Sequence, residues 1–580
     1  MYSTPTHRRL PTPEPLLAAA AALVFGACGG EAGSDNAADR IFVGGSVVTV
    51  DSANPTAEAV AVADGRIIAV GSEDEVMAFQ GSDTEVTELG GLTLVPGFID
   101  PHAHVTAFGA QAVGANLLAS PDGEVETVEE LVAVLGRWAE ENPEDIDRTG
   151  WIYGIGYDDA ILGRHPTRDD LDQVSTDLPI MVIHISGHFG AVNSLGLEMI
   201  GYDAGTPDPE GGIIRRRPGG TEPNGVLEEL AAIPKFGLVL SPSSQEDSRY
   251  FLEKGLEMAK SFGYTTAQDG RAMRSTHESL VAAAEAGLLD IDIVSYIDYT
   301  ARDLIDGPRH SRDYDGGYRI GGLKITLDGS PQGRTAWRTQ PYLIPPDGQD
   351  ADYVGYPAIP DDAVVEELLQ EAYAKGWQTL VHANGDAAID QLIRTLGPAH
   401  LAAGSPDDRR HTLIHGQYIR MDQLDALADL NVIASLFPMH TFYWGDWHGQ
   451  IIGQELGQHI SPMRSAKERG VIATSHTDAP VALPNLMQVM WATVNRVSRS
   501  GEVIGPDERL TPAEALETFT LLGAYQHFEE DRKGSIEVGK LADLVILSDN
   551  PLTVDPMQIN QIVVMETIKE GATVFQREGT

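Results

Sequence analysis

The chain has 580 residues, of which 42% are hydrophobic, as is ordinary for a globular protein with a large core. Its 86 acidic residues against 40 basic residues give a net charge of −46. A surface this negative repels phosphate groups, which excludes nucleic acid as an expected partner and argues against docking onto an anionic membrane. The single cysteine excludes an intrachain disulfide.

The first forty residues have the pattern of an exported protein. A basic head at residues 7–9 precedes an apolar run at residues 16–27, which ends at Cys28. As a helix this run spans roughly 18 Å, which is too short for a hydrocarbon core of about 30 Å, so it indicates an export signal. The segment resembles the lipobox of bacterial lipoproteins, whose cysteine carries the lipid after cleavage.

We therefore predict a lipoprotein-type signal peptide at residues 1–28, a flexible Gly/Ala-rich tether at 29–39, and a lipid anchor at Cys28 as the only link to a membrane. This places the protein in the cell envelope, on a periplasmic or extracellular face. The alternative is a plain secretory signal with an incidental cysteine.

Short strand patterns stand near both ends of the remaining chain. They lie at residues 41–50, 57–70, 92–95, 534–547 and 561–564, with breaks at 44–45 and 64–65. Strands so far apart in sequence predict one small β-sandwich assembled from residues 40–95 and 510–580. The alternative is two unrelated edge hairpins.

Between the termini, buried strand patterns alternate with amphipathic helical patterns, such as those at residues 361–374 and 421–430, which favours a parallel α/β fold. The strands are predicted at residues 95–99, 264–268, 291–296, 322–326, 378–381, 411–414, 432–436 and 471–474. Eight in succession predict a (β/α)8 TIM barrel over residues 96–509, with active groups at the C-terminal strand ends. Because the first two strands are too far apart for one crossover, residues 115–245 are predicted to be a cap insertion over the barrel mouth.

Histidines and one aspartate stand where these strands end. His102 and His104 follow the first strand and point to one face, because residues i and i+2 of a strand do so, and both can therefore approach one metal. His382 ends the fifth strand, His415 follows the sixth, and Asp478 follows the eighth. Because these ends meet at one face of a barrel, the sequence predicts a divalent metal site there.

Lys324 lies near the end of the fourth predicted strand. A lysine that faces a metal cluster is repelled unless its charge is removed, for instance by carbamylation with CO₂. The carbamate would then bridge two metals. The alternative is a structural salt bridge.

Seven motifs carry a resemblance to a known family. They lie at residues 94–104, 186–194, 224–228, 324–329, 381–386, 478–481 and 534–547. With this set the chain resembles the amidohydrolase superfamily, and within it the YtcJ-like branch (amidohydrolase family 3), over about residues 40–575.

The resemblance implies a ligand set and a substrate region. The implied metal ligands are His102, His104, His382, His415 and Asp478, with Lys324 as the carbamylated bridge. It also places His188 and Asn193 in the cap near the substrate. The sequence departs from the family pattern at two places, which are His476-Thr477 before Asp478 and Gly416-Gln417 after His415. These departures leave the implied ligands in place but predict a different lining of the nearby pocket.

The predicted function is that of a metal-dependent hydrolase acting on C–N bonds of the amide, N-acyl or N-substituted formamide type. One or two divalent ions, with Zn²⁺ as the first choice, lower the pKa of bound water and polarise the carbonyl. Asp478 is predicted to take the proton from that water and pass it to the leaving amine. His440 begins an aromatic run at residues 440–448 and is predicted to hold the carbonyl oxygen beside a substrate pocket.

Two alternatives remain at this point. A mononuclear deaminase or cyclic-amide hydrolase on the same barrel would not need Lys324 at the metal. A non-catalytic, lipid-anchored binding protein would not need intact ligands at all. The expected partner is a small-molecule substrate, and a homo-oligomer is left open.

Overall fold

The computed structural model describes residues 37–185, 187, 189–209, 212–240, 244–346, 349–405 and 408–578. The predicted signal peptide with Cys28, most of the predicted tether, and His188 lie outside the described residues. Ala38 and Asp39, which the sequence assigns to the tether, already belong to the folded part, because their N–H groups donate to Phe79 and Val62. Across the described ranges, no helix combines the length and apolar character needed to cross a membrane.

The strands fall into four sheets. In chain order they are β1 Arg40–Val43, β2 Ser46–Val48, β3 Thr56–Ala57, β4 Ala59–Ala63, β5 Arg66–Gly71, β6 Glu85–Glu88, β7 Thr93–Pro96, β8 Phe98–Ile99, β9 Ala115–Asn116, β10 Ile152–Tyr157, β11 Ile180–His184, β12 Phe189–Val192, β13 Gly212–Arg216, β14 Pro223–Glu229, β15 Tyr264–Ala272, β16 Asp292–Asp298, β17 Tyr318–Thr326, β18 Gln378–Ala383, β19 Thr412–His415, β20 Ile433–Leu436, β21 Ala473–Ser475, β22 Leu544–Leu547, β23 Val564–Lys569 and β24 Ala572–Gln576.

Helices connect most of these strands. In chain order they are α1 Glu73–Val76, α2 Val105–Val113, α3 Val128–Glu141, α4 Pro143–Thr149, α5 Asp159–Leu162, α6 Arg168–Leu171, α7 Ser194–Ile200, α8 Ile233–Leu240, α9 Gln245–Ser261, α10 Arg274–Glu285, α11 Asp362–Lys375, α12 Asp386–Ala402, α13 Met421–Asp429, α14 Met439–Tyr443, α15 Gly445–Ile452, α16 Gln454–Gln458, α17 Met463–Glu468, α18 Leu486–Asn495, α19 Pro512–Glu517 and α20 Leu521–Gln526. Both helices singled out from the sequence are present, as α11 and α13.

One parallel sheet contains the eight strands expected for the barrel, in the order β21-β20-β19-β18-β17-β16-β15-β8. Every position of β16 is buried, as expected for a parallel sheet covered on both faces. The sheet curls until the segments after its two edge strands meet. There Asp478 N–H donates to the His102 carbonyl at 3.1 Å, and His104 N–H donates to the Ala479 carbonyl at 2.9 Å. This mixed α/β fold with a curled parallel sheet is consistent with an amidohydrolase TIM barrel.

The strand predicted at residues 95–99 is divided between two sheets. Its first part belongs to β7, which pairs with β22, whereas β8 pairs with β15 in the barrel sheet. The chain changes sheets at Gly97, whose N–H donates to the Asp543 carbonyl at 2.7 Å. A Cβ at Gly97 would overlap the Thr265 side chain, so only glycine allows this close approach.

Strands from both termini share one sheet, in the order β24-β23-β22-β7-β2-β3, and a second sheet has the order β5-β4-β1-β6. Side chains of both sheets, such as Phe42 and Val60 from one and Leu94 and Leu544 from the other, pack in a single hydrophobic cluster. This packing buries the apolar face that each sheet would otherwise expose to water.

The two strands predicted near the C-terminus have different bounds in the structure. Only the end of residues 534–547 is extended, as β22, because Gly534 and Gly539 adopt left-handed backbone with φ of 90° and 95°. Residues 556–561 form a 3-10 helix capped by the Asp555 side chain, so β23 begins only at Val564.

Residues 115–229 contribute a separate mixed sheet in the order β13-β14-β12-β11-β10-β9. A hydrophobic cluster joins this sheet to the helices beside the barrel, with Tyr153 and Ile183 from the sheet, Ala110 from α2 and Phe251 from α9. Because α2 begins directly after His104, this sheet packs next to the segment that carries the first two predicted ligands.

Candidate active site

The C-terminal ends of the barrel strands bring the predicted ligands together. Nε2 of His102 and Nε2 of His104 each lie 3.6 Å from Oδ1 of Asp478. Nδ1 of His415 lies 3.9 Å from the other oxygen of the same carboxylate. The ring centroid of His382 is 4.7 Å from that of His415, so three imidazoles lie against one acidic side chain and a fourth packs against one of the three.

The donor atoms of His102, His415 and Asp478 all lie within 4.8 Å of one another. Burial lowers the pKa of His102 and of His415 well below the usual range, and neighbouring positive charges lower both further. Both rings are therefore neutral and offer lone pairs, as metal ligands must. Two neutral imidazoles with one carboxylate match the donor set that divalent metals such as Zn²⁺ prefer.

Lys324 lies inside this cluster, on β17, with its Nζ 3.4 Å from Nε2 of His102. Burial lowers the pKa of its amino group to about 7. The structural salt bridge considered as its alternative role is not formed with any of the residues that the structure describes.

The ring of His102 is held by a hydrogen bond on its outer side. Its Nδ1 lies 2.7 Å from Oε1 of Gln268, whose Nε2 donates to the Pro101 carbonyl at 2.5 Å. Because the amide oxygen is an acceptor, Nδ1 of His102 carries the proton and its Nε2 is left with a lone pair towards Asp478. A Cβ at Gly270 would overlap this ring, so the glycine makes room for it.

Asp328 lies beside His382 and anchors the loop after β18. One carboxylate oxygen lies 3.3 Å from Nδ1 of His382. The carboxylate also accepts N–H groups of Asn384 at 2.9 Å, Gly385 at 2.7 Å and Trp337 at 3.0 Å. The loop after β18 is thereby fixed to the strand that carries Lys324.

Two of the predicted ligands have unusual backbone conformations. His415 has φ of 73° and Asp478 has φ of 53°, in the left-handed region that non-glycine residues rarely adopt. Such conformations cost on the order of 1–3 kcal/mol each and cluster at functional sites.

His476 belongs to the same cluster, although sequence reasoning treated it only as a departure from the family pattern. Its Nε2 lies 3.1 Å from Nδ1 of His415, and its Nδ1 lies 2.9 Å from the Ser435 hydroxyl. Burial lowers its pKa to about 3. The i, i+2 spacing that pairs His102 with His104 also relates His476 to Asp478, and that signal was sufficient to find it.

A cavity of about 840 Å³ opens onto His382, His415 and Asp478. Much of its wall is apolar and comes from the 115–245 region and from α9; these residues are Ile155, Ile183, Phe236, Leu240, Phe251 and Leu252. Hydroxyl and amide side chains from α10 and the loop after β17, including Ser279, Ser330 and Gln332, supply its polar part.

The three residues predicted to bind substrate have different outcomes. His440 lines the cavity. The structure does not bring Asn193 to it: this side chain caps α7, accepts N–H groups of Gly196 and Ile180, and donates to two backbone carbonyls. His188 lies outside the described residues.

A second group of metal-type donors occurs beside the cavity, formed by Asp158, Asp159 and His184. One of its carboxylates already pairs with a cation outside the group, because Asp158 lies 2.9 Å from Arg499. The first group, at the barrel strand ends, is therefore the better candidate for the metal.

A family model described as the amidohydrolase family matches residues 85–575. The chain belongs to the amidohydrolase family. It is 28% identical to the N-substituted formamide deformylase of Arthrobacter pascens, covering 93% of this chain and 99% of that protein. It is 26% identical to the amidohydrolase YtcJ of Bacillus subtilis, with the same coverage.

Solved structures show the same fold. A metal-dependent hydrolase of Pyrococcus furiosus superposes with a TM-score of 0.69 at 22% identity, covering 89% of this chain and 100% of that one. Its counterpart from Pyrococcus horikoshii gives 0.68 at 21% identity. The predicted YtcJ-like amidohydrolase family and the hydrolase class are thus confirmed, which sets aside the non-catalytic alternative. The family, the hydrolase class and the geometry of the donor atoms together support a divalent metal as the cofactor.

We expect His102→Ala, and separately His382→Ala, to lose most bound metal and at least about 100-fold in activity, because both rings face the donor cluster. The far-UV circular dichroism should stay that of the wild type, since the barrel core packs without these side chains. Metal content by mass spectrometry is the measurement. His459→Ala, whose side chain is 45% exposed, is the control. Full metal occupancy with normal turnover would remove the substituted residue from the site.

Proposed function

We propose that this amidohydrolase cleaves C–N bonds of small amides, N-acyl compounds or N-substituted formamides with water. The observation that carries the proposal is the arrangement of neutral imidazoles, one carboxylate and a buried lysine where a cavity of about 840 Å³ opens onto them. The similarity to an N-substituted formamide deformylase over 93% of the chain makes N-substituted formamides the first substrates to test.

A divalent metal held by His102, His415 and Asp478, with Zn²⁺ as first choice, would lower the pKa of water and polarise a carbonyl group. In the proposed hydrolysis, Asp478 carries the proton. Its side chain is 14% exposed and lies where the donor cluster meets the cavity. It takes the proton from water and donates it to the leaving amine, so one carboxylate serves as general base and then as general acid.

The cavity wall indicates which substituent the substrate carries. Ile155, Ile183 and Phe236 from the 115–245 region form an apolar surface together with Phe251 from α9. Burying an apolar group there gains about 25 cal/mol for each Å² removed from water. We therefore propose that the substituent on nitrogen or on the acyl carbon is an alkyl or aryl group.

We expect the metal-loaded enzyme to hydrolyse N-hexyl- and N-phenethylformamide faster than N-methylformamide by roughly 10-fold or more in kcat/KM, because the longer chains bury more apolar surface. Release of formate and of the amine, each quantified, measures the reaction. Asp478→Asn should abolish it in all three substrates.

Cyclic amides and aminated heterocycles belong in the same assay. If these are hydrolysed or release ammonia while every open-chain amide and formamide is inert, the mononuclear deaminase or cyclic-amide hydrolase is the correct function. A metal count near one per chain would accompany that result, whereas a count near two accompanies the proposal.

We also propose that Lys324 is carbamylated. Its neutral amine adds to the carbon of CO₂ and loses one proton, which gives a carbamate with one negative charge. The support is its burial in the donor cluster, which disfavours the positive form and places Nζ 3.4 Å from Nε2 of His102, where a carbamate would add metal-ligand oxygens that the proposed site lacks.

Lys324→Ala should reduce activity at least about 100-fold, and short carboxylic acids should restore part of it by supplying the missing oxygens. Carbon-13 NMR of protein equilibrated with labelled bicarbonate should show a carbamate signal that this variant lacks. Lys375→Ala, at the surface end of α11, is the control. An unmodified Lys324 together with an active alanine variant would contradict the carbamate.

Export and anchoring are proposed from the sequence of the first forty residues. We expect cleavage before Cys28 and acylation of the new N-terminus by two or three chains, since one chain gives only marginal membrane binding. Cys28→Ser should move the enzyme from the detergent phase to the aqueous phase or halt processing, whereas Ser34→Ala should change neither. Equal partitioning and processing of wild type and Cys28→Ser would identify an ordinary secretory signal.

A further inference from the structure

Three buried side chains form a hydrogen-bonded chain that ends at the cavity. Nδ1 of His440 lies 3.0 Å from Nε2 of His448, and Nδ1 of His448 lies 3.1 Å from the Tyr418 hydroxyl. All three are buried, and of the three only His440 lines the cavity. Because its Nδ1 is bonded to His448, Nε2 is the ring nitrogen left for a ligand.

The direction of the hydrogen bonds follows from the hydroxyl. Within the described part of the chain, Nδ1 of His448 is the only hydrogen-bond partner of the Tyr418 hydroxyl. A buried O–H that does not donate is costly, so Tyr418 donates to His448. Both histidines are neutral, because burial lowers the pKa of His448 to about 3 and that of His440 well below its usual range.

A neutral imidazole carries one proton, so each bond fixes the next. With Nδ1 of His448 accepting, its proton is on Nε2 and is donated to Nδ1 of His440. The proton of His440 is then on Nε2. The opposite arrangement would leave the Tyr418 proton without an acceptor and would present a lone pair of His440 to the cavity.

We propose that Tyr418 and His448 are positioning residues that hold His440 in the tautomer whose Nε2–H donates into the cavity. The recipient is an oxygen of the substrate that gains negative charge during reaction, which rests on the C–N hydrolysis proposed above. A fixed, neutral donor in a buried site stabilises such an oxygen without reorganising when the charge develops. The wrong tautomer would repel it.

Neutron diffraction of the metal-loaded wild-type enzyme after exchange into D₂O tests the tautomer without any assay. Deuterium should appear on the Tyr418 oxygen, on Nε2 of His448 and on Nε2 of His440. Deuterium on Nδ1 of His440 would overturn the proposal. Because this result needs no substrate, it stands even if the enzyme proves to cleave another bond.

Kinetics test whether the hydrogen bonds from Tyr418 through His448 to His440 contribute to catalysis. Tyr418→Phe keeps the ring but frees the tautomer, so kcat should fall by roughly 10-fold with KM nearly unchanged, and His440→Ala should lower kcat by about 100-fold or more. Tyr342→Phe is the matched control, because Tyr342 is buried in the same hydrophobic cluster but donates to the Ala336 carbonyl at 2.8 Å. Equal losses in the two phenylalanine variants, or no loss in either, would show that the Tyr418 hydroxyl does not act through His440.

Discussion

The site depends on one electrostatic constraint, which is that a single carboxylate lies among buried, neutral imidazoles. Burial keeps His102 and His415 uncharged, because it lowers their pKa values well below the usual range. Their lone pairs and the Asp478 carboxylate then face one another within 4.8 Å. Such an arrangement is unfavourable alone and becomes stable around a divalent cation. The fold therefore brings the donor atoms of the proposed metal site together by itself.

The meeting of the two edge strands of the barrel sheet holds this arrangement in place. Asp100, directly after β8, accepts hydrogen bonds from the Thr477 hydroxyl at 2.5 Å and from Tyr264 at 2.7 Å. The segments that carry His102 and Asp478 are thereby joined to each other and to β15. Burial of the Asp100 carboxyl raises its pKa to about 6, so these hydrogen bonds compensate for taking it out of water. The same hydrogen bonds therefore close the barrel sheet and hold the segment of His102 next to the segment of Asp478.

The barrel strands could be predicted because buried parallel strands are continuous apolar runs, and the candidate metal ligands could be predicted because they follow those runs. Periodicity does not say which sheet a strand joins, so the strand predicted at residues 95–99 ran across Gly97, where the chain passes from β7 to β8. Asn193 was assigned to the substrate by resemblance, but its amide is bonded to the backbone around α7. The chain from Tyr418 to His440 depends on contacts across 30 residues that no local pattern encodes.

Anomalous X-ray diffraction at the zinc edge, from crystals of zinc-loaded protein, tests the central claim most directly. The account predicts a peak about 2.0–2.2 Å from Nε2 of His102 and from the Asp478 carboxylate, as zinc–nitrogen and zinc–oxygen distances require. His415 should be the third residue in contact with the zinc ion. A peak confined to Asp158, Asp159 and His184, with none at the strand ends, would contradict the account.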